Sequence, residues 1–234
     1  MHLMAFWEMH LHKLSITIAT LLIFGDVAEA TPLWLQAVGS NGADAIATPG
    51  EESELVYVRV VNQSTPDDRA DFLTGWQLSL SIQPQAGASG QLVFANPATG
   101  TAQEPADYVL EGASFEIVVE NSGTDLDAFD VNFPFTGGVQ VPIDPGAVLL
   151  SVEFLASSDA NGDFDILAVN TSNSSRRTEW ANAASPVQLA QAFANVPFGI
   201  GAVRIGTVRV IPEPSSYCLI LSALLVPTFL ARST

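Results

Sequence analysis

Seven short runs in this chain alternate apolar and polar residues at period two: Glu54–Val61, Trp76–Ile82, Ser114–Glu120, Phe129–Phe133, Val148–Phe154, Phe164–Val169 and Ala202–Val210. Successive side chains of a β-strand point to opposite faces, so each run reads as a strand with one face buried and one wet. Between them lie Thr48-Pro49-Gly50, the stretch from Pro84 to Gly90, Asn96-Pro97, Gly137-Gly138, Asp144-Pro145-Gly146 and Asn161-Gly162, which are turn-forming combinations. One stretch departs from the pattern. Ser185-Pro186 offers an N-cap and a proline at the first helical position ahead of Val187–Ala194, with Leu189 and Phe193 four apart, and predicts a short helix. About eight or nine strands with at most one helix fold as a single antiparallel β-sandwich, an all-β domain. No internal repeat or long linker divides it, so the domain is expected to occupy residues 31–211.

Both ends of the chain differ from this middle. Residues 1–30 carry His10, His12 and Lys13, then an apolar run from Leu14 to Phe24, then Ala28-Glu29-Ala30. Basic start, apolar centre and small residues at the cut make up a secretory signal peptide, with cleavage expected after Ala30 and Ala28 as the second small residue. The apolar run is about half of the roughly 20 residues a spanning helix needs.

Removing such a leader has a chemical consequence. It takes with it every His, Lys and Met of the chain, and the single cysteine, Cys218, lies in the C-terminal apolar run. The domain between the termini therefore holds no His, Cys or Lys. Imidazole-based triads, His/Cys zinc sites, Schiff bases and disulfides cannot be built from it. Formal charge is −17, and the leader's own −2 leaves −15 for residues 31–234. Nucleic acid and anionic membrane surfaces are poor partners for such a field.

Two constellations within the domain are candidates for binding. Asp159, Asn161, Asp163 and Asp165 place oxygen-bearing side chains at every second position, which suits calcium, a hard cation taking six to eight oxygen ligands. The stretch resembles the first half of an EF-hand or dockerin-type loop, although Phe164 stands where that loop needs glycine and Asn170 where it needs the bidentate glutamate. The competing reading makes Asn161-Gly162 the tip of a hairpin between Val152–Ala156 and Phe164–Val169, with the acids as solvated turn residues. No other cofactor is expected. Among the aromatic residues, Trp34 and Trp180 lie near irregular segments and are candidates to stack on sugar rings, whereas Trp76 and Tyr57 fall inside strand patterns and belong to the core. Enzymatic chemistry is left only the carboxylates. A pair drawn from residues such as Glu51, Glu52, Asp67, Asp68, Glu104 and Glu179 would suffice for glycoside hydrolysis, and nothing in the sequence selects one.

The order of "ELVYVRVVN", "GWQLSLSIQP", "FDVNFPF" and "DPGAVLLSVEFLA" resembles the strand sequence of cohesin-like and related carbohydrate-binding-module sandwiches over most of residues 33–170. Gln83 stands where the turn of those families carries an aspartate. The resemblance implies a module that binds carbohydrate or protein. Ig-like and jelly-roll sandwiches produce the same alternation.

The C-terminus, residues 212–234, reads "PEPSSYCLILSALLVPTFLARST". From Tyr217 to Ala231 is 15 residues, about 22 Å as a helix against a hydrocarbon core of about 30 Å. Pro227 interrupts it. Pro212-Glu213-Pro214, a serine pair, a short apolar helix and a basic residue, Arg232, follow in that order. This arrangement resembles the PEP-CTERM sorting signal of exported proteins in Gram-negative bacteria that make extracellular polysaccharide. Members of that family usually end in several arginines, and here Arg232 stands alone before Ser233-Thr234. The resemblance implies export, transient anchoring in the membrane through the tail, and removal near the triplet by an exosortase-type enzyme. The expectation is an exported protein of the cell envelope, cell surface or extracellular matrix with a non-enzymatic structural or binding role. Its partners would be the export machinery, the sorting enzyme, and a polysaccharide or surface protein. A cohesin-like binding module is the alternative, and a carboxylate-based glycoside hydrolase the third reading.

Overall fold

The computed structural model describes residues 33–63, 72–133, 138–141, 146–172, 176–182 and 189–212. They form β1 (Leu33–Gly39), β2 (Ala45–Ala47), β3 (Val56–Asn62), β4 (Phe72–Pro84), β5 (Leu92–Asn96), β6 (Gly100–Ala102), β7 (Ile117–Asn121), β8 (Asp125–Val131), β9 (Val139–Gln140), β10 (Ala147–Ala156), β11 (Gly162–Asn170), β12 (Glu179–Asn182), β13 (Leu189–Ala192) and β14 (Gly201–Val210). No helix occurs among the described residues. The smaller sheet has the order β1-β3-β10-β5. The larger runs β2-β14-β11-β4-β8-β7-β6, with β9 and the β12–β13 pair also joined to β4. All pairings are antiparallel except that of β2 with β14. The predicted class, an all-β sandwich, is the class found.

The two sheets face each other across one core. Leu35, Val58, Val60, Leu150, Val152 and Phe154 come from the smaller sheet and Leu78, Leu80, Leu126, Phe164, Ile166 and Val208 from the larger, all fully buried. Phe94 and Phe154 pack with ring centroids 5.1 Å apart. Burial of this kind contributes roughly 1.5–3 kcal/mol per large side chain.

β4 organises the larger sheet. β8 lies along one side of it; on the other, β11 pairs with Leu80–Pro84 and β12 with Leu73–Gln77. Thr178 bridges the change of partner: the Ser79 N–H donates to its Oγ1 at 3.1 Å, and that hydroxyl lies 3.0 Å from the Val169 carbonyl oxygen. The buried Asn170 amide donates to the carbonyls of Thr178 and Val196 at 2.8 and 3.1 Å, holding the following chain against the sheet.

Side-chain amides close both edges of the smaller sheet. Asn195 presents Oδ1 to the Leu35 N–H at 2.9 Å and Nδ2 to the Leu35 carbonyl at 2.7 Å, while the Ala194 N–H donates to the Leu33 carbonyl. At β5 the Phe94 N–H donates to the Gly123 carbonyl at 2.8 Å and Asn121 Nδ2 to the Phe94 carbonyl at 3.1 Å. Edge strands so occupied do not offer these groups to an added strand. The open surface of this sheet is its face.

Three sequence expectations are corrected here. Residues 189–192 are β13, antiparallel to β12, where a helix over 187–194 was predicted. β10 and β11 do not form a hairpin: β10 pairs with β3 and β5, β11 with β14 and β4, and residues 157–161 cross between the sheets. In β8 the face toward the core is Leu126, Ala128 and Asp130, opposite in phase to the inward Phe129 and Phe133 that alternation predicted. The physical reason for that inversion is the set of donors gathered around Asp130, described next.

Candidate functional site

Asp130 has 0% exposure, so its carboxylate needs partners from the protein itself. It accepts from Tyr108 Oη at 2.5 Å and Ser114 Oγ at 2.6 Å on one oxygen, and from the backbone N–H groups of Glu116 at 3.0 Å and Val131 at 2.6 Å on the other. Tyr108 in turn accepts from Trp76 Nε1 at 3.1 Å, its ring set edge-on to the indole. Burial, reinforced by the Asp130 carboxylate, raises the Tyr108 hydroxyl far above the usual phenol range, so it stays a donor. Asp107, with φ 58°, turns the chain that presents Tyr108. Every group here is satisfied, and Asp130, Tyr108 and Trp76 are buried. It is a structural lock.

Glu179, at the start of β12, is the contrasting carboxylate. It is 5% exposed, its Oε2 accepts no hydrogen bond, and Arg177 Nη1 is 4.0 Å away. Burial raises its pKa, and Arg177 offsets only part of the rise. A carboxyl whose folded pKa is raised contributes stability while protonated and loses it as pH climbs through the folded value. Glu179→Gln is therefore expected to raise the melting temperature at neutral pH by about 2–4 °C, with the gain vanishing below about pH 4. Thermal unfolding of both proteins across that range checks it; a gain that persists unchanged in acid contradicts it. Glu179 lines neither of the two clefts described below.

The sheets differ on their outward faces. The larger sheet carries Asp125, Asp127, Asp163 and Asp165, met by Arg176, Arg204 and Arg209. The smaller sheet presents Trp34, Gln36 and Val38 from β1, Tyr57, Arg59 and Val61 from β3, and Ser151, Glu153 and Leu155 from β10. Only Arg59 and Glu153 are charged among these nine. Trp34 is 42% exposed and stands beside Val61 in register. Two residues along, the Arg59 guanidinium carbon lies over the Tyr57 ring, 5.4 Å from its centroid, where the ring face attracts the cation. In so acidic a chain, this face is a nearly neutral strip with an exposed indole.

The calcium candidates do not converge. Asp163 Oδ1 accepts from Arg209 Nε at 2.9 Å. Asp165 Oδ1 accepts from Gln85 Nε2 at 2.7 Å and lies 3.7 Å from Arg204, while Asp159 accepts from Ser157 Oγ at 2.6 Å. Asn161 is held through its backbone by Ser89. Among the described residues no three His, Cys, Asp or Glu side chains gather to hold a metal. Strand geometry explains the correction: Asp163 and Asp165 lie in β11, where extended backbone spreads them along the sheet toward arginines of β14. Trp180 is corrected too. It is 1% exposed, packed in the core cluster beside Trp76 of β4 in register, with Nε1 donating to the Ala192 carbonyl. Trp76 is in the core as expected, and Tyr57 is half-buried on the outward face.

Pro212 is the one described member of the sorting triplet. It is separated from β14 by Ile211 alone and lines two open clefts at that end of the sandwich. Ala28, Ala30, Glu213, Pro214 and Arg232, with the leader and the apolar tail, lie outside the described residues.

No family model matches the sequence, and no curated protein matches it. Among solved structures it is similar to a type III cohesin module from the cellulosomal ScaE cell-surface anchoring scaffoldin of Ruminococcus flavefaciens, at 14% identity and TM-score 0.46, covering 80% of this chain and 92% of that one. A type II cohesin domain from the cellulosome of Acetivibrio cellulolyticus is similar at 12% identity and TM-score 0.42, covering 76% and 91%. So is a cohesin module from a Clostridium perfringens family 33 glycoside hydrolase, at 5% identity and TM-score 0.39, covering 77% and 98%.

Proposed function

We propose that this chain is an exported, non-enzymatic protein of the bacterial cell surface or extracellular matrix, delivered through its Pro212-Glu213-Pro214 tail, which binds through the outward face of its smaller sheet. The observation that carries the binding role is the charge-depleted strip of Trp34, Val61, Gln36 and Arg59 stacked on Tyr57, on a chain of net charge −17. A neutral polysaccharide suits such a face: an exposed indole offers flat apolar area to a sugar ring, while Gln36 and Arg59 beside it supply donors to hydroxyls. Export is supported by the three-part leader and by the ordered tail.

Against catalysis stand the composition and the clefts. The domain has no His, Lys or Cys. Glu51 and Asp159, the carboxylates of one cleft, are both exposed to solvent, and neither stands in a water-excluded site of the kind that catalysis uses. A screen on chromogenic glycosides is expected to show no turnover.

Binding is tested by affinity electrophoresis of the full chain through gels containing neutral and acidic polysaccharides, with Trp34→Ala as comparison. Retardation by a neutral polysaccharide, weakened at least about tenfold by Trp34→Ala with the melting temperature held, is the expected result; loss of one stacking indole is worth about 1–3 kcal/mol. Equal mobility of both proteins in every gel contradicts the assignment of this face.

A further inference from the structure

The tail leaves the sheet without a spacer. At its last residue β14 is still paired on both sides, Val210 with Ala47 of β2 and with Gly162 of β11. The Ile211 N–H continues the ladder to the Ala47 carbonyl at 3.0 Å. Pro212 comes next, between two open clefts of about 340 and 350 Å³. One is walled by Pro49, Glu51, Asp159 and Asn161, the other by Ala86, Ala88, Asp163 and Arg209.

The walls are braced. Ser89 and Asn161 exchange both backbone hydrogen bonds, at 2.9 and 3.1 Å, and the Ser157 N–H donates to the Gln91 carbonyl at 2.8 Å. A Cβ on Gly90 would stand 2.5 Å from Ala160 Cα, so the two loops lie in direct backbone contact. Preformed clefts bind without an ordering cost.

A protein that engages an extended segment commonly does so by adding a strand beside it. That route is closed on the N-terminal side of Pro212, since both edges of β14 are occupied by β2 and β11. Whatever grips the triplet therefore has only the cleft walls as its upstream surface. We propose that these two clefts are a docking surface for the enzyme that removes the tail, which reads the end of the fold together with the Pro-Glu-Pro triplet. The inference rests on the delivery through the tail proposed above and on removal of that tail, which the resemblance to a sorting signal implies. The chemistry of the surface specifies its counterpart. Asp163 is neutralised by Arg209, whereas neither Glu51 nor Asp159 has an arginine partner among the described residues. The enzyme places a cationic side chain in the first cleft and a compact apolar one against Ala86 and Ala88 in the second.

The test is pulse-chase of the full chain in a host that processes it, following loss of the tail by mass. Ala86→Trp fills the second cleft and Glu51→Arg cancels the charge of the first, where Asp159 remains; both positions are exposed, and unchanged melting temperatures verify folding. Each is expected to slow processing about fivefold or more. A Gly/Ser spacer of about eight residues between Ile211 and Pro212 is expected to slow it similarly and to make the cleft substitutions silent. Cleft variants processed at the wild-type rate, or a spacer variant processed faster than wild type, overturn the inference while leaving delivery by the tail intact. A wild-type chain that keeps its tail overturns both.

Discussion

Asp130→Ala is expected to lower the stability of the sandwich by about 4 kcal/mol, the cost of leaving buried donors without an acceptor at about 1–3 kcal/mol each when water reaches some of them. Tyr108 Oη, Ser114 Oγ and the N–H groups of Glu116 and Val131 all point at one carboxylate. Removing it strips four donors at once. For a domain of this size the melting temperature should fall by about 10–15 °C. Tyr108→Phe should cost less, about 1–2 kcal/mol, although it also leaves Trp76 Nε1 unpaired. The double variant is expected to be less destabilised than the sum of the two, because the donor and acceptor being lost are partners. Urea unfolding of the four proteins measures this. A loss below about 1 kcal/mol for Asp130→Ala would mean that the carboxylate is not the lock described.

Gly206→Ala is expected to be comparably damaging for a different reason. A Cβ built on Gly206 falls 2.3 Å from the Ala37 carbonyl oxygen and 2.9 Å from Ala37 Cβ. Backbone, unlike the end of a flexible side chain, cannot turn aside, so β14 and β1 must separate. These strands belong to different sheets, and Gly206 sits beside the register shift between Ile166 and Leu167 on β11. Their close approach fixes how the smaller sheet sits on the larger at this side. The expected cost is about 3 kcal/mol or more for alanine, with valine failing to fold. Thermal unfolding of the alanine variant checks it; stability within about 0.5 kcal/mol of wild type would show that the strands part at no cost.

The long strands are legible in sequence through their period-two runs. β3 alternates in burial over all seven residues and β10 over Leu150–Ala156, while β4 keeps the period in its sequence from Trp76 to Ile82 although much of it is buried on both faces. β1 escaped the reading for an instructive reason. Its outward Trp34 and Val38 are apolar, as are its inward residues, so the period vanishes where an open face is itself hydrophobic. The same feature that hid the strand marks the candidate site. β13 was mistaken for a helix because Leu189 and Phe193 are four apart; pairing with β12, which no local pattern records, decides otherwise. Alternation is equally silent on which strands pair, so β10 and β11 looked like two arms of a hairpin although they lie in opposite sheets.

Site residues followed the same logic. Trp34 is a candidate on its nearness to an irregular segment; it lies instead within β1, where it stands on an open face. Trp180 is indistinguishable from it in sequence, and only the pairing of β12 with β4, which sets it beside Trp76 in the core, separates the two. The acidic series from Asp159 to Asp165 has the spacing of a loop but is partly strand, which separates the carboxylates and hands them to arginines far away in sequence. Asp130 had no sequence signal at all. Its donors come from residues 108, 114, 116 and 131, and only the fold brings them together.

The central claim is delivery: a sandwich carried to the surface by a tail that is then removed. Intact mass of the protein recovered separately from membrane, cell-surface and medium fractions tests it most directly. The account predicts a species in the surface or medium fractions that begins at Thr31 and ends within Pro212–Pro214. A species found only in the membrane and still carrying Arg232 would contradict it.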